Sequence, residues 1–207
     1  MFEGKRILIT GGSGSLGQAL TKKLLEFDVD TIRIFSRNES KQIEMGTKFD
    51  DPRLRYLIGD IRDRDRVSRA VEDIDIVFHT AALKHVPLIE YNPSEAILTN
   101  IMGTQNLVQE CAKNHVEKFV GIGTDKAVSP LNTYGATKLL MEKLIVTTAR
   151  QFNYKKYNTK FSVVRYGNVA ASSGSVIPLF INMIKAKKKI SITDPRMTRF
   201  NITMDNA

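Results

Sequence analysis

RILITGGSGSLG, residues 6–17, decides how this chain folds. Arg6 to Thr10 is a short run with β-branched residues, which suits a strand. Gly11, Gly14 and Gly17 follow directly, and helical periodicity then runs to about Phe27. Glycines between a strand and a helix permit a tight turn and a close backbone approach. The helix N-terminus behind them can then hold a pyrophosphate. The spacing is G-x-x-G-x-x-G, and the strand–turn–helix context makes it a dinucleotide-binding signal rather than a merely tight loop. Ser13 and Ser15, between the glycines, belong to the same candidate site.

Further strands are expected at Thr31–Phe35, Leu54–Ile58, Asp75–Thr80, Lys118–Ile122 and Phe161–Tyr166. Helical patterns fill the gaps, most clearly over Ser94–Asn114 and Thr133–Phe152. This alternation predicts an α/β fold, a Rossmann-like doubly wound parallel sheet with helices on both faces. Beyond it, Ser172 to Ile177 reads as a small-residue loop and a helical pattern continues to about Lys188. The run Lys185–Lys189 reads as a solvated helix end, where cations suit the dipole. Asp205 resembles an N-cap with no helix after it, so a fragment of a longer chain is expected.

The 207 residues, 42% hydrophobic and 26% charged, suit one sizeable core in a globular protein. A single cysteine, Cys111, excludes a disulfide framework, favours a reducing cytoplasm and reads as a small filler, not a nucleophile. The start MFEGKRILIT lacks the apolar segment of a signal peptide, and no apolar run reaches the length of a membrane span. A cytoplasmic protein without a membrane partner is expected. The net charge of +9 is scattered and not interleaved with aromatics, so a nucleic-acid partner is not expected. An anionic cofactor and an anionic substrate would both favour a positive site. No metal site is expected.

Where the second strand ends, Ser36 and Arg37 stand in the place that Asp or Glu takes in many NAD sites. Arg37 can pair with a 2′-phosphate, which favours NADP over NAD; a solvent-facing loop arginine is the plain alternative. Asp60 and Ile61, after the third strand, are placed to flank an adenine. Ala81 and Ala82, after the fourth, are small enough for backbone to approach the cofactor.

The chemistry is carried by TDKAVSPLNTYGATK, residues 124–138. Tyr134 and Lys138 are four apart and share a helix face. A lysine ammonium beside a phenol favours the phenolate, so Tyr134 can remove a proton from an alcohol while a nicotinamide takes hydride. Asp125 and Lys126 add an acid and a base, more than simple oxidation needs.

TGGSGSLG, AALKHVPLIEYNPSEAILTN, TDKAVSPLNTYGATK, RYGNVAASSGSVIPLF and ITDPRMTRF together resemble the extended short-chain dehydrogenase/reductase superfamily. Within it they are similar to the soluble inverting UDP-N-acetylglucosamine 4,6-dehydratases. The resemblance implies NADP-dependent 4,6-dehydration of a UDP-N-acetylhexosamine with inversion at carbon 5, feeding surface glycan or glycoprotein biosynthesis. It implies that Tyr134, helped by Lys138, takes the carbon-4 hydroxyl proton and that Lys126 takes the carbon-5 proton. Asp125 would help the carbon-6 hydroxyl leave as water, and Thr124 would hydrogen-bond the substrate. By the same resemblance Lys84 and His85 face the nicotinamide or the substrate, Asn168 binds the sugar nucleotide and Val169 lies by the nicotinamide. A loop histidine satisfied by backbone is an equal reading of His85. Residues 1–168 would be the NADP-binding domain and 169–207 the incomplete start of a sugar-nucleotide lobe, beginning around Ser173–Ile177. A homo-oligomer is expected by analogy alone. A nucleotide-sugar 4-epimerase, or a non-catalytic NADP-binding module, are the rival readings.

Overall fold

The structure is a computed structural model that describes residues 1–151, 158–170, 175–192 and 194–207. These divide into two units, Met1–Arg165 and Tyr166–Ala207. In the first, strands β1 (Arg6–Thr10), β2 (Thr31–Ser36), β3 (Leu54–Ile58), β4 (Ile76–His79), β5 (Lys118–Ile122) and β6 (Lys160–Val164) form one parallel sheet. Their order is β3-β2-β1-β4-β5-β6. The order reverses between β1 and β4, so the crevice at their carboxyl ends is where a doubly wound sheet binds ligands.

Both faces of the sheet are covered, which is why its strands read as near-continuous apolar runs. Alternate residues of β1 go to opposite sides. Leu8 packs with Phe35, Val77 and Phe119, under Val67 of α3 (Arg64–Val71), Leu107 of α6 (Gly103–Lys113) and Met141 of α7 (Thr133–Gln151). Ile7 and Ile9 pack with Ile32, Ile34 and Ile76, under Leu24 of α1 (Ser15–Leu24) and Met45 of α2 (Glu39–Phe49). Cys111 is buried in the first of these cores, and that burial pushes its thiol up. Of the two places open to a small filler, core or surface, it takes the core.

The expected fold class is the one found. The departures are local. β6 spans Lys160–Val164 instead of 161–166, because the chain leaves the sheet at Arg165, whose guanidinium turns to Glu142 of α7. The helix expected over 94–114 is three segments: α5 (Pro93–Ala96), a π-helical turn (Ile97–Met102) and α6. A preceding short helix, α4 (Val86–Tyr91), opens with Pro87 in its first turn. The last expected residue of α7, Phe152, lies outside the described residues.

The second unit contains β7 (Asn168–Val169) paired in parallel with β8 (Asn201–Ile202), and helix α8 (Val176–Lys185). The helix stops three residues short of Lys188, and Lys187 takes a left-handed φ of 51°, so most of the lysine run follows the helix. Ser172 and Ser173 of the expected loop lie outside the described residues. Asp205 caps no helix; it sits in a turn closed by the Asn206 N–H donating to the Thr203 carbonyl at 3.2 Å. Among the described residues no helix is long and apolar enough to cross a membrane.

Phe119 is fully buried at the centre of the larger core, whereas Tyr91 is 87% exposed. Phe119→Ala is expected to destabilise the chain by roughly 3–5 kcal/mol in urea unfolding. Tyr91→Ala is expected to stay within about 0.5 kcal/mol of the parent.

Candidate active site

Three loops meet the carboxyl ends of the central strands. The first is the glycine turn after β1. Gly11 has φ +68°, and a Cβ there would lie 2.8 Å from both the N and the Cα of Ala81. A side chain is excluded twice, by conformation and by contact. A Cβ on Gly17 would lie within 2.4 Å of the Gly12 carbonyl oxygen, so α1 sits directly on the turn. That helix starts after Gly14 with no side chain capping it and no acidic residue in its first turn. Its positive end is thereby suited to an anionic group.

Beneath the turn lies a buried polar chain. Thr104 donates to the Asn100 carbonyl at 2.7 Å, so its oxygen accepts from His79 Nε2 at 2.9 Å. His79 Nδ1 then accepts from Thr10 at 2.7 Å. Full burial, with the Lys138 charge adding to it, pushes the imidazole down to about 3 and keeps it neutral. The chain ties the end of β1 to β4 and α6.

At the end of β2, the Ser13 hydroxyl donates to Ser36 at 2.9 Å, and Gln42 of α2 donates to the Ser36 hydroxyl at 2.9 Å. Arg37, half-exposed, lies 3.5 Å from Asp60, which Arg62 also engages at 2.7 Å. Burial works against the Asp60 charge, but the Arg62 hydrogen bonds prevail and hold its carboxyl below the usual range. Ile61, next along, is buried in the core against Gly103, where any Cβ would touch it at 2.6 Å. It supports the site from within.

After β4 the chain passes Ala81, Ala82 and Leu83 to Lys84 and His85. A pocket of about 290 Å³ is lined by Arg37, Leu83, Lys84, His85, Leu88 and Glu95, among others. Lys84 and His85 therefore share a cavity with Arg37, from the opposite side of the switch point. Burial, with the Lys41 charge adding to it, lowers the Lys84 ammonium.

The third loop follows β5. Thr124 caps the 3₁₀ turn Asp125–Ala127, and its hydroxyl donates to Asp125 Oδ1 at 3.0 Å. Lys126 Nζ donates to the same oxygen at 3.0 Å. Burial opposes the Asp125 charge, but the hydrogen bonds from Lys126 and Thr124 hold its carboxyl below the usual range. Residues 124–126 are thus brought together as a hydrogen-bonded trio. α7 presents Tyr134 beside them. Burial pushes the Tyr134 phenol up; a hydrogen bond with Thr124 opposes this and the Asp125 charge adds to it.

Lys138 is the point where sequence and structure differ. It lies on the expected face, but its Nζ donates to the Ile122 carbonyl at 2.5 Å and to Met141 Sδ at 3.1 Å, not to the phenol. A buried ammonium must satisfy its donors, and the nearest acceptor is the backbone at the end of β5. Burial pulls it down to about 8, with the Glu142 charge working the other way. The pairing with the phenol expected from the i, i+4 spacing is not made here.

Sequence reading missed a second layer. Asn100, fully buried on the π-helical turn, accepts from the Leu83 N–H at 2.8 Å and donates to the Leu83 carbonyl at 3.0 Å and to Thr137 at 3.1 Å. Thr137 in turn donates to the Tyr134 carbonyl at 2.9 Å. Glu90 of α4 accepts from the Thr133 N–H at the start of α7, at 2.6 Å. The one available signal was a polar residue on the apolar face of the 94–114 pattern. Asn168 and Val169 belong to the second unit, on β7.

Residues 7–207 match a family described as polysaccharide biosynthesis protein. The chain belongs to that family. It is 51% identical over 208 residues to a UDP-N-acetylglucosamine 4,6-dehydratase (inverting) of Campylobacter jejuni, covering all of this chain and 62% of that protein. It is 48% identical to a UDP-glucose 4-epimerase of Rickettsia bellii, covering 99% of this chain and 60% of that protein. The X-ray structure of Pen from Bacillus thuringiensis superposes with a TM-score of 0.95 at 47% identity, covering 99% of this chain and 63% of that one. The chain thus spans about three-fifths of the length of the curated relatives it matches. The sheet order and glycine turn place the family member in the short-chain dehydrogenase/reductase fold, as the sequence implied.

Lys138 supplies a stability test. Its folded value near 8 lies below the ordinary 10.5, so the unfolded chain holds more protons between those values and stability rises with pH across that window. At pH 7 the buried charge is fully opposed. Lys138→Met is therefore expected to be more stable than the parent at pH 7, by roughly 2 kcal/mol. The gap should close as the pH climbs through 8 towards 10.5, read as urea midpoints at each pH.

Proposed function

We propose that the protein is an NADP-dependent lyase that dehydrates a UDP-N-acetylhexosamine such as UDP-N-acetylglucosamine across carbons 4 to 6, with inversion at carbon 5. The observation that carries this reading is the Asp125–Lys126 ion pair at 3.0 Å, tied through Thr124 to Tyr134. Oxidation alone needs only Tyr134 and Lys138; removal of water needs an acid and a base besides.

The cofactor fit rests on the chain's own shape. The space a Gly11 side chain would fill is closed by Ala81, and the uncapped start of α1 offers N–H groups to a pyrophosphate. Gly14, Gly17, Ser13 and Ser15 complete that cradle. Ser36 and Arg37 would take the ribose and its 2′-phosphate, and Asp60 the adenine side, with Ile61 packed in the core beneath it. A nicotinamide held there supplies a hydride acceptor for carbon 4 and a hydride donor for carbon 6.

Tyr134 takes the carbon-4 hydroxyl proton. Its phenol must first release its own proton to solvent, so the Lys138 ammonium has to turn from the Ile122 carbonyl towards it when the site fills, to stabilise the phenolate. The resting pair is Asp125 carboxylate and Lys126 ammonium. One proton has to cross their hydrogen bond, against the resting preference for the charged pair, to give a neutral amine and a carboxylic acid. The amine then accepts the carbon-5 proton, and the acid protonates the departing carbon-6 hydroxyl, which leaves as water. Both groups end in their resting charge states, and the proton held by Tyr134 then returns to carbon 5 on its opposite face, which inverts that carbon and restores the phenolate. Lys84 and His85, which line the pocket beside Arg37, would hold the sugar nucleotide.

A 4-epimerase remains a second reading because the Rickettsia relative carries that name at 48% identity. Incubation with UDP-N-acetylglucosamine and NADP in deuterated water, followed by NMR, separates the two. A dehydratase gives a new methyl group and deuterium at carbon 5. A galacto isomer alone, formed equally well by Lys126→Met, would replace it with the epimerase. For the dehydratase, Tyr134→Phe is expected to lower turnover by about 100-fold or more, and Asp125→Asn by a similar factor.

A further inference from the structure

Tyr134, Lys138 and Glu142 are spaced four apart on α7, so they line one face of the helix. The third of them has no place in the chemistry above. Glu142 is nonetheless built into the structure with care for its charge. Its side chain is 8% exposed, and Arg165 binds both of its oxygens, Nε at 2.9 and 3.0 Å and a terminal nitrogen at 2.5 Å. Arg165 is 46% exposed and so approaches from the solvent side. On the other side the carboxylate abuts Gly123, where even a Cβ would lie 2.3 Å from Oε1. A carboxylate this buried has a high desolvation cost, and a hydrophobic residue of similar volume would hold α7 against the sheet without it.

Lys138 gives the carboxylate a purpose. Lys138 is 4% exposed, and the acceptors its ammonium reaches are neutral, the Ile122 carbonyl and the Met141 sulfur. The groups around it are His79 on β4, neutral; Tyr134 and Glu142 on its own helix; Asp125, which acts on the tyrosine from the 3₁₀ turn; and Arg165 beyond β6, whose charge Glu142 meets first. We propose that Glu142, fixed by Arg165, is a positioning residue whose negative charge keeps Lys138 an ammonium inside the site. Without it, burial would lower Lys138 further and leave less of it charged near neutral pH. A neutral amine would then neither stabilise a phenolate nor attract an anionic cofactor. Burial and Glu142 act in opposite directions on Lys138, which accords with this geometry.

The proposal concerns Lys138 in any reaction that uses the Tyr134–Lys138 pair, so it stands or falls apart from the choice of dehydration over epimerisation. The test is an NMR titration of the intact chain with ¹³Cε-labelled lysine, the Lys138 signal being assigned by its loss in Lys138→Arg. In Glu142→Gln the Lys138 midpoint is expected to fall by about one pH unit relative to the parent. Glu142→Asp, which keeps the charge, is expected to restore most of the shift. A midpoint that stays in place in folded Glu142→Gln, or an equal fall in Glu142→Asp, would overturn the proposal, since packing alone would then account for Glu142. If Glu142→Gln leaves Arg165 unpaired and the chain unfolds, the double variant Glu142→Gln/Arg165→Met removes both charges together. The Lys138 midpoint must fall there too, and an unmoved midpoint sinks the idea.

Discussion

No side chain separates the end of β1 from the end of β4, and the site depends on that closeness. Gly11 and Ala81 meet backbone to backbone, with a left-handed φ that glycine adopts at little cost. The approach is held from below by the fully buried Thr10–His79–Thr104 chain, whose histidine is neutral because burial leaves it no choice. With those two strands locked at this spacing, the glycine turn and the Lys84–His85 loop follow the two strands between which the sheet order reverses, and the Thr124–Lys126 trio follows the next strand, β5. A bulkier residue at Gly11 would push the second loop away from the first, and the cradle for an anion would be lost with it.

The charges in the first unit are handled in two ways. Near the surface, Asp60 and Asp125 are held ionised by adjacent cations, Arg62 and Lys126, despite partial burial. Deeper in, Lys138 meets neutral acceptors and burial pulls it down to about 8, with the Glu142 charge opposing the drop. The ammonium is thereby kept inside the site at neutral pH although burial opposes its charge. The arrangement destabilises the resting fold at this one position, an ordinary trade at a functional site.

How far the sequence could be read depended on the range of each interaction. The glycine spacing and the alternation of β-branched runs with helical periods are local, and they led directly to the parallel sheet. The Thr-Asp-Lys triplet is also local: neighbours one and two residues apart formed the trio without help from the rest of the fold. Asn100, His79, Glu90 and Glu142 were not legible. Each is an unremarkable polar letter in its own stretch, and its meaning lies in a partner 17 to 69 positions away, such as Leu83 or Thr10. The π-helical turn that carries Asn100 inward was hidden for the same reason, since its apolar pattern resembles that of an unbroken helix.

Lys138 marks the boundary between the two kinds of knowledge. By itself the sequence determined that Tyr134 and Lys138 lie on one face of a helix, because a period of 3.6 residues admits no other outcome. It likewise determined the fold class, the glycine turn and the acid–base pair beside the tyrosine. Only the tertiary structure decided where the lysine points, what burial does to its charge and which carboxylate opposes that effect. Those depend on the carbonyl at the end of β5 and on Arg165 beyond β6, and no spacing along α7 encodes either. Electrostatic environment is a sum over neighbours in space, so it is fixed only once the chain has folded.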